Sequence, residues 1–238
     1  MTKAFILAAG RGERMRPLTD HTPKPLLEVG GRALIEHHLL RLAAAGVAEI
    51  VINLGWLGAQ IRERLGDGGC YGVRIEYSDE GWPALETGGG TRRALSLLGT
   101  APFISISGDI YSDYPLQKLV ESARQWRGGD LAHLVLVPNP PFHPRGDFSL
   151  IDGRIVEPAQ PPLLTYANFA VIDPRLFAAH ADGTFPIAPL LRAAAREHRC
   201  SAELYTGPWS NVGTPEQLRE LAVRLQFPLQ AGAAAHNP

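Results

Sequence analysis

At 238 residues, with 23 Lys+Arg against 24 Asp+Glu and 45% hydrophobic residues, the chain has the length of one α/β domain and almost no net charge. That balance excludes binding of duplex nucleic acid or an anionic membrane by bulk attraction, which needs clustered excess Lys and Arg. Its apolar runs fall far short of the ~20 residues a bilayer crossing needs, and Cys70 and Cys200 have no further thiol or histidine at ligand spacing. The expectation is a cytoplasmic protein without a disulfide framework, a zinc knuckle, a membrane partner or a nucleic-acid partner.

Taken in chain order, apolar runs between turn residues predict a strand over 3–8, a Gly/Arg loop from residue 10, and a helix over 33–45. Leu34, Ile35, His38, Leu39 and Leu42 fall on one face of that helix, and Gly46 is placed to stop it. A strand over 49–53, a short helix over 58–65, a strand over 73–77, a helix over 88–98 and a strand over 103–107 follow. Helix 115–127 and strand 131–137 extend the alternation. Strands separated by helices imply a mostly parallel sheet covered on both faces, a Rossmann-like three-layer α/β sandwich, with ligands at the carboxyl ends of the strands. Between 138 and 162 prolines crowd and only short strand-like pieces occur, at 148–151 and 154–156, so this segment reads as a small lid or hairpin and not a second domain. Strand 165–172, helices near 174–179 and 187–197, strand 202–205 and a helix over 214–225 complete one domain over 1–226, with 227–238 expected as a mobile tail.

Near-neutrality conceals a local imbalance. The first 32 residues hold six Lys/Arg and three Asp/Glu, so they carry +3 while the remainder carries −4. Within them, directly after the first strand, stands Leu7-Ala8-Ala9-Gly10-Arg11-Gly12-Glu13-Arg14-Met15-Arg16-Pro17, followed by Pro23-Lys24-Pro25. Gly10 and Gly12 let backbone N–H groups approach an anion without Cβ obstruction, and Arg11, Arg14, Arg16 and Lys24 can reach the same space. A dinucleotide fingerprint needs a glycine where Met15 stands and an acidic residue where Asn53 stands, and no Gly-Lys-Ser/Thr triplet of a Walker loop is present. The eight histidines are scattered, and Trp56 reads as packing.

The whole string resembles the start of the sugar-1-phosphate nucleotidyltransferases, whose pattern is L-A-A-G-x-G-x-R-M/L followed by P-K-P. The resemblance continues in Leu85-Glu86-Thr87-Gly88-Gly89-Gly90, similar to the family's base-contacting loop, and in Ser107-Gly108-Asp109, similar to its G-D metal site. Trp209-Ser210-Asn211-Val212-Gly213-Thr214-Pro215-Glu216 is similar to its W-x-D-V-G-T-P-E. The form of the second loop and the Gly146-Asp147-Phe148 turn are most similar to a short uridylyltransferase branch of that family.

This resemblance implies a GT-A-like fold and transfer of a nucleotidyl group from a nucleoside triphosphate to a sugar 1-phosphate, with Mg²⁺ as cofactor. It implies Arg14, Lys24 and Asp109 as catalytic, and Ala8, Ala9, Gly10, Arg11, Gly12, Glu13, Arg14, Lys24, Asn53, Glu86, Thr87, Gly88 and Gly108 as nucleotide-binding. The N–H groups of Gly88–Gly90 at a helix N-terminus would contact the nucleotide. Asp109, Gly146, Glu157 and Asn168 are expected on the sugar, and Asp109 with Asn211 on the metal. Asn211 stands where the family has Asp, implying a metal site with less charge, and Asn168 stands where the family has Gly. The base, the sugar and the oligomeric state stay open, as does a non-catalytic nucleotide-sugar sensor.

Overall fold

The computed structural model describes residues 2–226; the expected tail lies outside them. In chain order the elements are β1 (Lys3–Leu7), a small hairpin of β2 (Glu28–Val29) and β3 (Arg32–Ala33), α1 (Leu34–Ala44), β4 (Glu49–Leu54), α2 (Gly58–Leu65), β5 (Arg74–Asp79), α3 (Glu86–Leu98), β6 (Phe103–Ser107) and β7 (Ile110–Ser112). They continue with α4 (Gln117–Arg124), β8 (Ala132–Val137), β9 (Ser149–Ile151), β10 (Arg154–Val156), β11 (Thr165–Ile172), α5 (Ala188–Arg196), β12 (Cys200–Leu204), β13 (Trp209–Asn211) and α6 (Pro215–Gln226).

A nine-stranded sheet runs β5-β4-β1-β6-β11-β8-β12-β10-β9, in which β11 and β10 oppose the other seven strands. Strand alternation divides the core between the sheet's faces. Ala4 and Ile6 of β1, Ile50 and Ile52 of β4, and Phe169 and Val171 of β11 pack with α1 and α4, whereas Phe5, Val51, Ala170 and Ile172 pack with α3 and α5. Both layers expected from the sequence are therefore present. α1 owes its start to a Glu: the Ala33 N–H donates to Glu36 Oε2 at 2.9 Å, and Arg64 and Tyr71 donate to the other carboxylate oxygen.

Two differences from the sequence reading bear on the site. The segment expected as a small lid or hairpin does contain a hairpin, β9 and β10, but it is joined to the edge of the main sheet through β12, and Phe148 is buried in the core. In addition, Asp109 is followed by the short strand β7, which pairs antiparallel with β13, Asn211 opposite Ile110. Among the described residues, no helix is long and apolar enough to cross a membrane.

Candidate active site

The carboxyl ends of β1, β4 and β6 open onto a cleft of about 230 Å³, lined by the first loop, Lys24, the β4 and β5 ends, the start of α3, and Asp109. Its floor is the chain leaving β1. Gly12 is in the left-handed region at φ +67°, and a Cβ there would meet Lys24 Cδ at 3.0 Å and Thr19 Cγ2 at 3.3 Å, so both conformation and space demand glycine. Gly10 is different: a Cβ would meet nothing within 4 Å, because the residue faces the opening. Among the described residues, no protein acceptor takes the N–H groups of residues 9–14. Unpaired N–H groups turned to one side of a loop make an anion-accepting surface.

Lys24 stands across this loop, only 8% exposed, with its stem against Gly12. Its Nζ donates to Asp109 Oδ2 at 2.5 Å. The other cations of the segment lie elsewhere. The Arg11 guanidinium lies 4.4 Å over the Trp56 ring and 3.8 Å from Asp20, and Arg16 Nε sits 2.8 Å from the same carboxylate. Trp56 in turn donates to Thr19 O at 2.9 Å and packs against the exposed Trp82. Arg14 reaches the C-terminal motif: a Cβ on Gly213 would sit 3.1 Å from its Nη2.

Asp109 is placed by close backbone approach. The Gly108 N–H donates to Leu7 O at 2.9 Å, which ties the end of β6 to that of β1. The Val212 N–H donates to Asp109 O at 2.9 Å, bringing Asn211 beside it. Asn211 Oδ1 is buried without a hydrogen-bond partner. From behind, Arg41 of α1 donates to Ser112 O and Tyr114 O. Its neighbour His38 is fully buried, and burial, helped by the Arg41 charge, holds the imidazole down at about 4, so it is neutral. The Asp109 carboxylate and the orphaned Asn211 oxygen are hard oxygen donors, the kind of ligand that Mg²⁺ takes.

The far wall is built differently from expectation. The Gly88 and Gly89 N–H groups both donate to Phe185 O, at 2.9 and 3.0 Å, so they are not free for a nucleotide, and Gly88 does not line the cleft. The glycine run serves packing: a Cβ on Gly88 would lie 2.5 Å from the Phe185 ring, on Gly89 2.0 Å from Gly183 O, and on Gly90 2.1 Å from Glu80 Oε1. Glu86 and Thr87, one step earlier, do line it, with Glu86 at φ +60°. Asn53 Oδ1 accepts the Ala8 N–H at 2.5 Å, while its Nδ2 donates to Glu80 Oε1 at 2.5 Å; Glu80 Oε2 accepts the Leu85 N–H at 2.8 Å. Burial raises the Glu80 pKa, and those two N–H donors oppose the rise. Sequence reading missed Glu80, which belongs to no recognisable motif.

Of the residues expected on the nucleotide, the cleft thus gathers Ala8, Ala9, Gly10, Gly12, Lys24, Asn53, Glu86 and Thr87, with Asp109 opposite. Arg11, Glu13, Arg14, Gly88 and Gly108 lie outside its lining. At the expected sugar end, Asn168 occupies a bulge in β11 at φ +59°, a left-handed position that asparagine tolerates better than most residues, directly before Phe169, which pairs with Ile106, and outside the cleft lining. Gly146 and Glu157 also lie outside the lining of the cleft. A Cβ on Gly146 would strike Asn139 Oδ1 at 2.7 Å, and Glu157, its side chain 7% exposed, is paired with Arg192 of α5. Asp147 accepts the Tyr166 N–H at 2.8 Å and lies 3.0 Å from His143.

A cleft that gathers the Gly10 loop and a fixed Lys24–Asp109 pair suits the binding of phosphates, and nucleotidyl transfer has to bring two polyanions together. The chain belongs to the nucleotidyl transferase family, whose sequence profile matches residues 3–145. Over 92% of its length it is 48% identical to the N-acetylmuramate alpha-1-phosphate uridylyltransferase of Neisseria meningitidis serogroup B, covering 96% of that protein. It is 34% identical to the Caulobacter vibrioides enzyme of the same name, over 93% of this chain and 96% of that one. With these relatives, the enzyme class is that of sugar-1-phosphate nucleotidyltransferases. A Bacillus anthracis protein assigned as a glucose-1-phosphate thymidylyltransferase shares the fold, with a TM-score of 0.86 at 20% identity over 98% of each chain.

Proposed function

We propose that the enzyme joins UTP to N-acetylmuramate 1-phosphate, releasing pyrophosphate, in the cytoplasmic recycling of cell-wall sugars. The observation that carries this reading is the 48% identity spread over 92% of the chain, because the cleft's own chemistry selects phosphates without naming sugar or base. A phosphate oxygen of the sugar 1-phosphate attacks the α-phosphorus of UTP in line. The bond from that phosphorus to the β-phosphate bridge breaks, and pyrophosphate leaves with the electron pair. The nucleophile is already an anion, so no general base is needed.

The N–H groups of residues 9–14 receive the triphosphate; Gly10 leaves open space for its approach, and Gly12 lets the Lys24 stem lie against the loop. Lys24, its stem packed and its Nζ fixed by Asp109, presents its charge to the phosphates without reorganising. Arg14, lying against the turn after Asn211, adds a second cation toward the leaving pyrophosphate. Asp109 and Asn211 would hold Mg²⁺, which supplies neutralisation of phosphate charge when bound. Glu86 and Thr87 border the nucleotide, Asn53 holds the loop after β1 through the Ala8 N–H, and Asn168 offers its amide to the sugar. Pyrophosphate release measured across a matrix of nucleoside triphosphates and sugar 1-phosphates tests the reading. UTP with N-acetylmuramate 1-phosphate should be turned over fastest; no turnover of that pair beside fast turnover of another would overturn it.

A further inference from the structure

Glu80 has no place in the mechanism above, yet it is buried at the cleft wall and is bonded to both sides of it. One carboxylate oxygen takes the Asn53 amide, whose own oxygen holds the Ala8 N–H; the other takes the Leu85 N–H, immediately before Glu86 and Thr87. We propose that Glu80 is a positioning residue that, through Asn53, locks the phosphate-accepting loop after β1 and the start of α3 at one spacing, so that a nucleotide meets both at once. The proposal rests on the nucleotide-binding reading of the cleft and adds a residue to it.

The chain of bonds has one polarity. Ala8 and Leu85 contribute N–H donors that cannot reverse, so Asn53 and Glu80 must together offer one internal donor and three acceptances. An amide facing a carboxylate meets that demand; two amides or two carboxylates do not. Glycine at position 90 belongs to the same device, since a Cβ there would stand 2.1 Å from Glu80 Oε1 and 3.0 Å from Asn53 Nδ2.

This polarity supplies a test that separates positioning from contact with ligand. In Glu80→Gln, every orientation of the two amides leaves one donor facing another donor. In Asn53→Asp, two carboxylate oxygens meet at the present 2.5 Å separation. The double exchange Asn53→Asp/Glu80→Gln swaps the two groups. The Ala8 N–H then donates to the carboxylate at position 53, the amide nitrogen at position 80 donates to that same carboxylate, and the Leu85 N–H donates to the amide oxygen at position 80. Every bond is remade, with the charge moved to the other member of the pair.

The experiment measures kcat and KM for UTP, UTP binding by calorimetry, and the thermal midpoint on the full chain. Each single variant should raise KM for UTP tenfold or more with a smaller change in kcat, and the double exchange should return it to within about threefold of the parent. A double variant as impaired as the sum of the singles would overturn the proposal, as would folded singles with unchanged KM. Recovery of the thermal midpoint alone, with KM still raised, would also overturn it by reducing the pair to fold stability. Should either single fail to fold, the double must both fold and bind UTP for the proposal to stand. A parent enzyme that binds no nucleoside triphosphate would instead defeat the functional reading itself.

Discussion

Two glycine-rich stretches border the cleft, and they are used in opposite ways. At Gly10 an added Cβ meets nothing within 4 Å, and the neighbouring N–H groups have no protein acceptor among the described residues. At Gly88–Gly90 an added Cβ meets protein at 2.5, 2.0 and 2.1 Å, and the first two N–H groups are consumed by Phe185 O. The first stretch leaves open space at Gly10; the second lacks side chains so that α3 can lie against the 183–185 segment and Glu80. A glycine run beside a cleft is therefore no measure of how many N–H groups the cleft offers.

If the open stretch is where charge is handled, removing its fixed cation should give the largest effect on rate and little on stability. Lys24→Met keeps the stem against Gly12 and loses the ammonium. Pyrophosphate release should fall on the order of a thousandfold, as for loss of a preorganised charge stabiliser, while the thermal midpoint moves by only a few degrees. Retention of a tenth of the activity would break the contrast. The closed stretch should respond the other way. Gly89→Ala puts a methyl 2.0 Å from a backbone carbonyl that has no side-chain freedom to yield. Overpacking of this kind should cost about 3 kcal/mol and lower the thermal midpoint by roughly 6–12 °C. An unchanged midpoint in calorimetry would show that α3 is not seated as described.

The difference between the two stretches was half legible in the sequence. Gly10, Gly12 and Lys24 lie within fifteen residues of one another after a clear strand, so their convergence follows from local chain direction. The partners that close the second stretch, Gly183 and Phe185, are nearly a hundred residues away, and no periodicity connects them to Gly88. Strand alternation and helical faces predicted the long elements well, including β11 at its full extent. They missed β7 and β13, three-residue strands more than ninety positions apart that pair only with each other across the fold. In the segment 138–162 a small lid or hairpin was legible, but not that the hairpin enters the main sheet, since it does so by a single registered pair with β12. Glu80 was invisible for another reason: one acidic residue at a strand end becomes meaningful only when the Asn53 amide and the Leu85 N–H are seen to converge on it.

Smaller effects sharpen the contrast within the open region. Gly10 is not in the left-handed region and has room for a methyl, so Gly10→Ala should fold with an unchanged thermal midpoint. Its methyl would occupy the space through which a phosphate approaches, and UTP affinity by calorimetry should fall about tenfold, or ~1.4 kcal/mol. A stability loss without an affinity loss would make Gly10 a packing glycine like Gly89.

Asn211 should give the smallest change and the most specific one. Its Oδ1 is buried without a partner beside Asp109, so Asn211→Asp adds a negative charge where an uncompensated acceptor already stands. Without metal, the two carboxylates repel and the variant should be slightly less stable than the parent. With Mg²⁺ and UTP present, the added charge favours the ion, so the Mg²⁺ concentration for half-maximal thermal stabilisation should drop about threefold to tenfold. The opposite signs are what identify a metal ligand, since a residue that merely packed there would lose stability at every Mg²⁺ concentration by the same amount.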